Sequence, residues 1–403
     1  QRPTLNLNFA RSKTLDPRQK WTRNSTATYV DNDGLIKTAA VNEPRFGHHP
    51  TTLESLGLLM ESDATNQIEY SEAFNNSYWT NDGSNITFVT GKVAPDGSTN
   101  AIQFTNSSGG ERLYRQSAFN LGSSGDKDLT YSIFGKWAGT NGSTLKLKMI
   151  GSGTGTFECS WDLNTGAVVD GSLIGDSQAI WQYPNGWYRV ELRKTNFSTG
   201  SIVDLEIITE SSDIIVWGAQ LENKKSRRYA SSYIPTSGST TARLNDSDVM
   251  VTAADWRPGL SVGTVFCKYF MIGKAAYGST WRIGYQPSIN WNGSTYNSES
   301  SNSSIKIQGN AGGASGTANG VFKPEVGVMG YSSGNSAYCI NGGSISTSSN
   351  AINSPSNNTR LITSTYSSWS NKADGFIAQF VFWPQRLTNG QIQELSRMGE
   401  AVP

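Results

Sequence analysis

The residues of this chain with the widest chemical repertoire are its two histidines, His48 and His49, and they are adjacent. In an extended segment neighbouring side chains point to opposite faces, so the pair cannot serve one site together. Solvation or loop packing is the reading for both. A Ser-His-Asp triad would have to recruit one of them, and no nucleophile-elbow sequence is present. The cysteines Cys159, Cys267 and Cys339 lie far apart without CxxC spacing, which gives neither a disulfide framework nor a zinc site. Cys159 alternates with Phe157 and Trp161, the pattern of a buried strand position. Asp31-Asn32-Asp33-Gly34 opens like a calcium loop, but the twelfth residue from Asp31 is Asn42 and not glutamate, so a hairpin turn is the better reading. P-loop, HExxH and dinucleotide fingerprints are missing. Any two of the 32 acidic residues could converge as a glycosidase pair, and nothing singles out a particular two. No catalytic residue, metal ligand or cofactor is assigned.

Aromatic side chains are the remaining candidates, because exposed rings accept the apolar faces of sugars or anchor protein interfaces. Trp137 shares the parity of Leu129 and Tyr131 and reads as core, as do Trp161 and Trp217 in strand-like motifs. Trp281, Tyr285, Trp291 and Tyr296 differ. They sit among Gly, Ser, Asn and Pro, without the apolar neighbours that would bury them, and are the candidate glycan-binding residues, borne on loops.

Composition sets the frame that must position them. A chain of 403 residues exceeds what one hydrophobic core usually serves, so two or more domains are expected. Lysine plus arginine (33) nearly cancels aspartate plus glutamate (32), so charge offers no reason to expect nucleic acid as a partner. No apolar run is long enough to span a bilayer, and membrane insertion is not expected. The N-terminal stretch lacks the apolar centre of a signal peptide.

Residues 5 to 46 read as a strap. Leu5, Leu7, Phe9, Leu15, Trp21, Tyr29 and Ile36 follow neither helical nor sustained strand periodicity, so the segment can be ordered only along another surface. Beyond Trp79, Leu129-Tyr131-Ile133, Leu145-Leu147-Met149 and Val203-Leu205-Ile207 each give the period-two signal of a half-buried strand. Turn signals such as Asp96-Gly97 and Asn185-Gly186 separate them, which argues for an antiparallel sandwich. Further strands are read at 264–270, 305–307 and in the apolar run from Gly375 to Pro384, and residues 286 to 320 read as long exposed loops. One helix follows: Thr388 and Gln391 have capping-box spacing, Leu387 and Ile392 take the staple positions, and Gly399 suits the C-terminal cap.

The block from Leu5 to Phe46 is similar, across nearly its whole length, to the N-terminal block of many virion proteins of tailed bacteriophages. WDLNTGAVVDG (from Trp161), NGWYRVEL (from Asn185) and IIVWGAQLE (from Ile214) resemble the carbohydrate-binding-module-like jelly rolls of phage tail and fibre proteins. SSYIPTSGSTTAR, from Ser231, resembles the exit from that domain, and the C-terminal strand and helix resemble the ending of concanavalin A-like (laminin-G-like) sandwiches.

The expected fold is all-β, with two antiparallel β-sandwich domains and one short C-terminal helix. Residues 1–74 form an extended strap and lead-in, 75–230 the jelly roll, 231–248 a connector and 249–403 the concanavalin A-like sandwich. The resemblance implies a non-enzymatic virion protein, a tail-fibre, spike or capsid-appendage component assembled in the host cytoplasm and exposed on the particle. Its implied partners are further copies of itself as a homotrimer, other virion proteins and host cell-surface polysaccharide. A capsid decoration or adaptor protein and a polysaccharide depolymerase stay open as alternatives. So does a structural calcium, which such jelly rolls often hold.

Overall fold

The computed structural model describes residues 2–399 apart from 83–85, 106–110, 121–126, 154, 171–176, 198–201, 224–228, 251–261, 273–278, 284–290, 298–303, 310–311, 318–321, 333, 350–358 and 362–373. It is an all-β protein of two antiparallel sandwiches. In the first, a six-stranded sheet runs Ser177–Gln182, Trp187–Phe197, Lys127–Asn141, Ser212–Asn223, Ala101–Thr105 and Thr87–Lys92. The facing sheet runs Ala167–Asp170, Gly155–Asp162, Thr144–Gly151, Ile202–Ile208, Arg112–Asn120 and Thr80–Asn81. All the alternating sets read from the sequence point into the space between them. Leu129, Tyr131 and Ile133 from one sheet meet Leu145, Leu147, Met149, Val203, Leu205 and Ile207 from the other, with Cys159 and Trp161 buried among them.

The second sandwich is built from both ends of the chain. Its larger sheet runs Ser346–Ser348, Ser336–Ile340, Pro324–Tyr331, Gly263–Met271, Gly375–Trp383, Ser55–Met60 and Phe46–His48, and Leu5–Asn8 also pairs with Gly375–Trp383. The strap is therefore laid along the C-terminal sandwich of its own chain, with Leu5 opposite Phe382 and Leu7 opposite Phe380. Leu5, Leu7 and Phe9 enter the same core as Val265, Cys267, Phe380 and Phe382, while Asn6 and Asn8 take the other face. Trp21 enters this core from the second, seven-stranded sheet, where Gln19–Thr22 pairs with Ser247–Met250.

Within 286–320 the strand expected at 305–307 is present as Ser304–Gly309, and the described residues beside it are strands where loops are expected. Trp291–Asn297, Ser304–Gly309 and Gly312–Thr317 form successive antiparallel hairpins. A polar, glycine-rich sequence hides its strands because the ladder satisfies backbone groups whatever the side chains are. The C-terminal helix, Asn389–Met398, has both reciprocal bonds of the Thr388/Gln391 capping box and a left-handed Gly399 cap. Ile392 sinks into a cluster with Phe266, Val381 and Trp383 on the outer face of the larger sheet. No described helix is long and apolar enough to cross a membrane.

The stretch 231–248 is extended but tied down. Thr241–Arg243 pairs with Ala64–Asn66, Tyr233 and Ile234 are buried, and Asp246 joins an ionic cluster with no solvent contact. There Arg45 donates to Glu61 at 2.7 Å and to Asp246 at 2.5 Å, and Arg23 reaches the other oxygen of Asp246 at 3.1 Å. Burial works against the charge of Arg45, and the pull of Asp246 and Glu61 overcomes it, leaving its pKa raised. Ser232 hydroxyl and Thr28 carbonyl complete the shell around Arg45. Strap, jelly-roll exit and connector thus close on one fully desolvated knot.

Candidate functional site

Of the four aromatics expected on loops, three lie in strands of the seven-stranded sheet. Trp281 is in Ser279–Ile283, and Trp291 and Tyr296 are in Trp291–Asn297; Tyr285 lies outside the described residues. The register sets Trp291 opposite Ile283, Trp281 opposite Gly293 and Tyr296 opposite Ile305. Loop-borne is therefore corrected to strand-borne for these three, for the backbone reason given above.

The other sequence candidates resolve locally. Asp31 Oδ1 accepts from the backbone N–H groups of Asp33 and Leu35 at 2.9 and 2.8 Å, closing the hairpin between Ala27–Val30 and Ile36–Ala39. His49 Nδ1 accepts from the N–H groups of Thr51 and Thr52, a loop-packing role. Burial lowers the pKa of both imidazoles, so His48 and His49 are neutral at pH 7. All three cysteines are buried thiols, and burial pushes Cys159 up to about 11. Among the described residues no group of three or more His, Cys, Asp or Glu is placed to hold a metal ion.

A different site emerges on the outer face of the first sandwich. In the strand Trp187–Phe197, Val190 and Leu192 face the core, so Arg189 and Glu191 face outward. The register places Arg189 between Trp181 on one neighbouring strand and Phe134 on the other. Such a face would normally meet water. Here the strap hairpin and the segment 229–233 fold over it, and Ile36 and Tyr233 cover Phe134, Trp187 and Trp217. Phe322, from the second sandwich, closes one side: its ring meets Trp181 at 5.5 Å and His49 at 5.2 Å. Tyr229 packs on Trp181 at 5.3 Å.

Between these groups is a cavity of about 80 Å³, lined by strap, first sandwich and second sandwich together. Its polar groups are buried. Arg189 donates to the Ser231 carbonyl at 2.7 Å and to Ser132 Oγ at 3.0 Å, while its Nε–H has no acceptor at hydrogen-bond distance. Glu191 Oε2 accepts from the Ala230 N–H at 3.0 Å. Burial pushes the Glu191 carboxyl up to about 7, although Arg189 and the Ala230 amide pull it back. Close by, Glu222 accepts from the backbone N–H of Ser231 at 2.8 Å and from its hydroxyl. Chemically, the cleft offers aromatic surface, one cationic donor and one carboxyl acceptor. The sequence signal for it is the charged pair Arg189 and Glu191 inside an aromatic strand, which reads as solvated until the covering segments are known.

No family model matches the sequence, and no curated protein matches it. Among solved structures, domain 4 of an extracellular arabinanase from Geobacillus stearothermophilus, in complex with arabinotriose, is similar at 12% identity with a TM-score of 0.29, over 42% of this chain and 82% of that one. Trypanosoma rangeli sialidase is similar at 9% identity with a TM-score of 0.30, over 73% of this chain and 60% of that one. Domains LG4-5 of the mouse laminin alpha1 chain give 11% identity and a TM-score of 0.22, over 68% of this chain and 85% of that one. At scores this low the fold assignment rests on the sheets themselves.

Proposed function

We propose that the chain is a non-enzymatic structural protein of a tailed-bacteriophage particle, a tail-fibre, spike or capsid-appendage component that contacts glycans on the host surface and assembles as a homotrimer. The virion half of this reading rests on the resemblance carried by residues 5–74 and 157–243. The glycan half is carried by one observation: aromatic side chains from strap and both sandwiches converge on a concave site holding Arg189 and Glu191. Rings with a few fixed polar groups suit a ligand that has apolar faces and hydroxyl edges. Trp281, Tyr285, Trp291 and Tyr296 remain the candidates for a second contact on the C-terminal sandwich.

An adaptor that binds only other virion proteins is favoured by a different feature. The edge strand Ala167–Asp170 is exposed along its whole length, with Val168 and Val169 at 43% and 57% exposure. Among the described residues no strand pairs with its outer edge, and an open, apolar edge is a template for protein pairing. One experiment separates the readings. Purified protein is incubated with host cells and with particles lacking it, and soluble reducing ends are measured in parallel. Adsorption to cells without reducing-end release supports the proposal. Adsorption to particles alone supports the adaptor, and released reducing ends support a depolymerase.

A further inference from the structure

We propose that a groove on the outer face of the larger sheet of the second sandwich binds a uronate residue of an acidic polysaccharide. Arg11 and Lys268 hold its carboxylate, and the side-chain amides of Asn6 and Asn8 donate to its oxygens. The inference rests on the glycan-contact reading, adds a ligand class to it, and concerns a site separate from the cleft around Arg189.

Strand register builds the groove. Asn8 stands opposite Gln379 and Gln379 opposite Lys268, so three adjacent strands carry one polar row on the face away from the core. Between Gln379 and Ile377 the ladder to Gly263–Met271 shifts by one residue. Ile377 and Phe380 both enter the core, so the extra residue leaves Ala378 and Gln379 together on the outer side. Arg11 and Ser12 border the groove from the short helix Phe9–Ser12, and Glu54 and Ser55 border it from the chain leading into Ser55–Met60. The space is about 440 Å³, within the range of roughly 300–1,000 Å³ usual for small-ligand sites. Asn6, Arg11, Ser12 and Glu54 are exposed, so the groove is open to solvent and accepts a unit within a continuing chain.

Hydrogen bonding decides what this lining has left to offer. Asn6 Oδ1 accepts from Gln379 Nε2 at 3.0 Å, and Asn8 Oδ1 accepts from the Arg11 backbone N–H at 3.2 Å. Those bonds leave the Nδ2 groups of both asparagines as available donors. Arg11 and Lys268 can only donate, and neither forms an ion pair with a described residue. Ser55 Oγ, also at the groove, is buried without a hydrogen-bond partner. Charge then selects the ligand. Two cations against the one carboxylate of Glu54 leave a single positive charge. A donor-rich groove with that balance is complemented by one carboxylate among many acceptor oxygens. A uronate ring supplies both. Its hydroxyls can donate to Glu54, and its apolar face matches Ala10, Phe270 and Ala378 in the lining. A neutral ring would leave the cations without a counter-charge, and an amino sugar would add a third cation.

The test titrates the full chain calorimetrically with an oligogalacturonate. Its methyl ester is the uncharged counterpart of the same shape, and a sulfated neutral oligosaccharide is a charged counterpart of different geometry. The uronate should bind, weaken as salt is raised, and exceed both counterparts by roughly tenfold or more. Arg11→Gln and Lys268→Gln should each weaken it roughly two- to fivefold and leave the melting temperature unchanged. Asn6→Asp keeps an oxygen for Gln379 and sets a negative charge where the structure has a donor, so binding should fall by roughly tenfold or more. The proposal is overturned if the uronate does not bind, if its methyl ester binds as well, or if all three variants bind like the wild type. Equal binding of the sulfated sugar also overturns it, since the groove would then be a general anion patch. The cell-adsorption experiment is independent. A chain that binds the uronate but ignores host cells keeps this site and loses the host-contact role; a chain that adsorbs to cells but ignores uronates loses the site and keeps the role.

Discussion

Arg45 and Asp246, 201 positions apart in sequence, meet at 2.5 Å with both side chains fully buried. Asp246 spans two guanidinium groups, Arg45 and Arg23, and also accepts from the backbone N–H of Glu61 at 2.8 Å. Removing it leaves more buried cation than Glu61 alone can balance. Breaking a buried pair by deleting one partner costs about 3–5 kcal/mol, because the survivor stays desolvated. Asp246→Ala is therefore expected to lower the stability of the whole chain by that amount, read from its denaturation midpoint. A loss under about 1 kcal/mol would show that the knot relaxes or hydrates, and is not the tie described here.

The same knot decides how the chain responds to a protease. Residues 237–240 are exposed, whereas Tyr233, Ile234, Arg243 and Asp246 on either side are buried. Limited digestion is expected to nick at 237–240 and to leave the two fragments bound to each other. They should elute together on gel filtration and separate only in denaturant, since Leu5–Asn8 and Ser55–Met60 stay paired with Gly375–Trp383. Fragments that part in native buffer would refute the shared sandwich.

Glu191 makes stability depend on pH in a defined direction. Its carboxyl lies at about 7 against an ordinary value of 4.5, so the folded chain holds this proton more tightly than the unfolded one. Its contribution to stability is greatest below the unfolded value and is lost as pH rises toward 7, after which it is flat. At 1.36 kcal/mol per unit the loss is on the order of 3 kcal/mol. His48 and His49, held below their ordinary value by burial, act oppositely as pH falls through 6.5 and under. The difference between wild type and Glu191→Gln isolates the carboxyl. Melting curves should converge near pH 4.5 and diverge toward pH 8, with the variant more stable. Parallel curves would place Glu191 in contact with water.

Two tryptophans should behave unlike each other. Trp217 is buried, its ring 4.5 Å from Tyr233 and its Nε1–H bonded to Asn100 Oδ1 at 2.9 Å. Trp217→Ala is expected to cost about 3–5 kcal/mol in stability. Under the glycan proposal Trp291→Ala weakens binding roughly tenfold, the effect of losing one stacked ring, and leaves the melting temperature nearly unchanged. Unfolding of the Trp291 variant would remove that residue from the list of contacts.

Local features of this chain are legible in its sequence. Thr388, Gln391 and Gly399 bound the helix because a helix end is settled by residues within one turn of it. Leu145, Leu147 and Met149 declare their strand because alternation needs no distant partner. What depends on remote segments is not legible. Leu5, Leu7 and Phe9 imply a supporting surface, but nothing near them names Phe380 and Phe382. Arg189 and Glu191 are not singled out by the sequence, because their cover comes from residues 28–50, 229–233 and 322. The hairpins carrying Trp291 and Tyr296 lack apolar alternation, and their pairing lives in the backbone.

The pairing of Leu5–Asn8 with Gly375–Trp383 also constrains the order of events during synthesis. Thr4 donates to the carbonyl of Phe382, 378 positions later, so the strand Leu5–Asn8 must wait for Gly375–Trp383. Contacts this distant in sequence form slowly. Meanwhile the first sandwich, complete by Asn223 apart from its cover, can form as the chain emerges. Until then Leu5, Leu7 and Phe9 have no native partner strand and need shielding by a chaperone or by transient collapse. A chain that stops before Gly375 would carry a finished first sandwich, while Leu5, Leu7 and Phe9 would be left without the strand on which they dock.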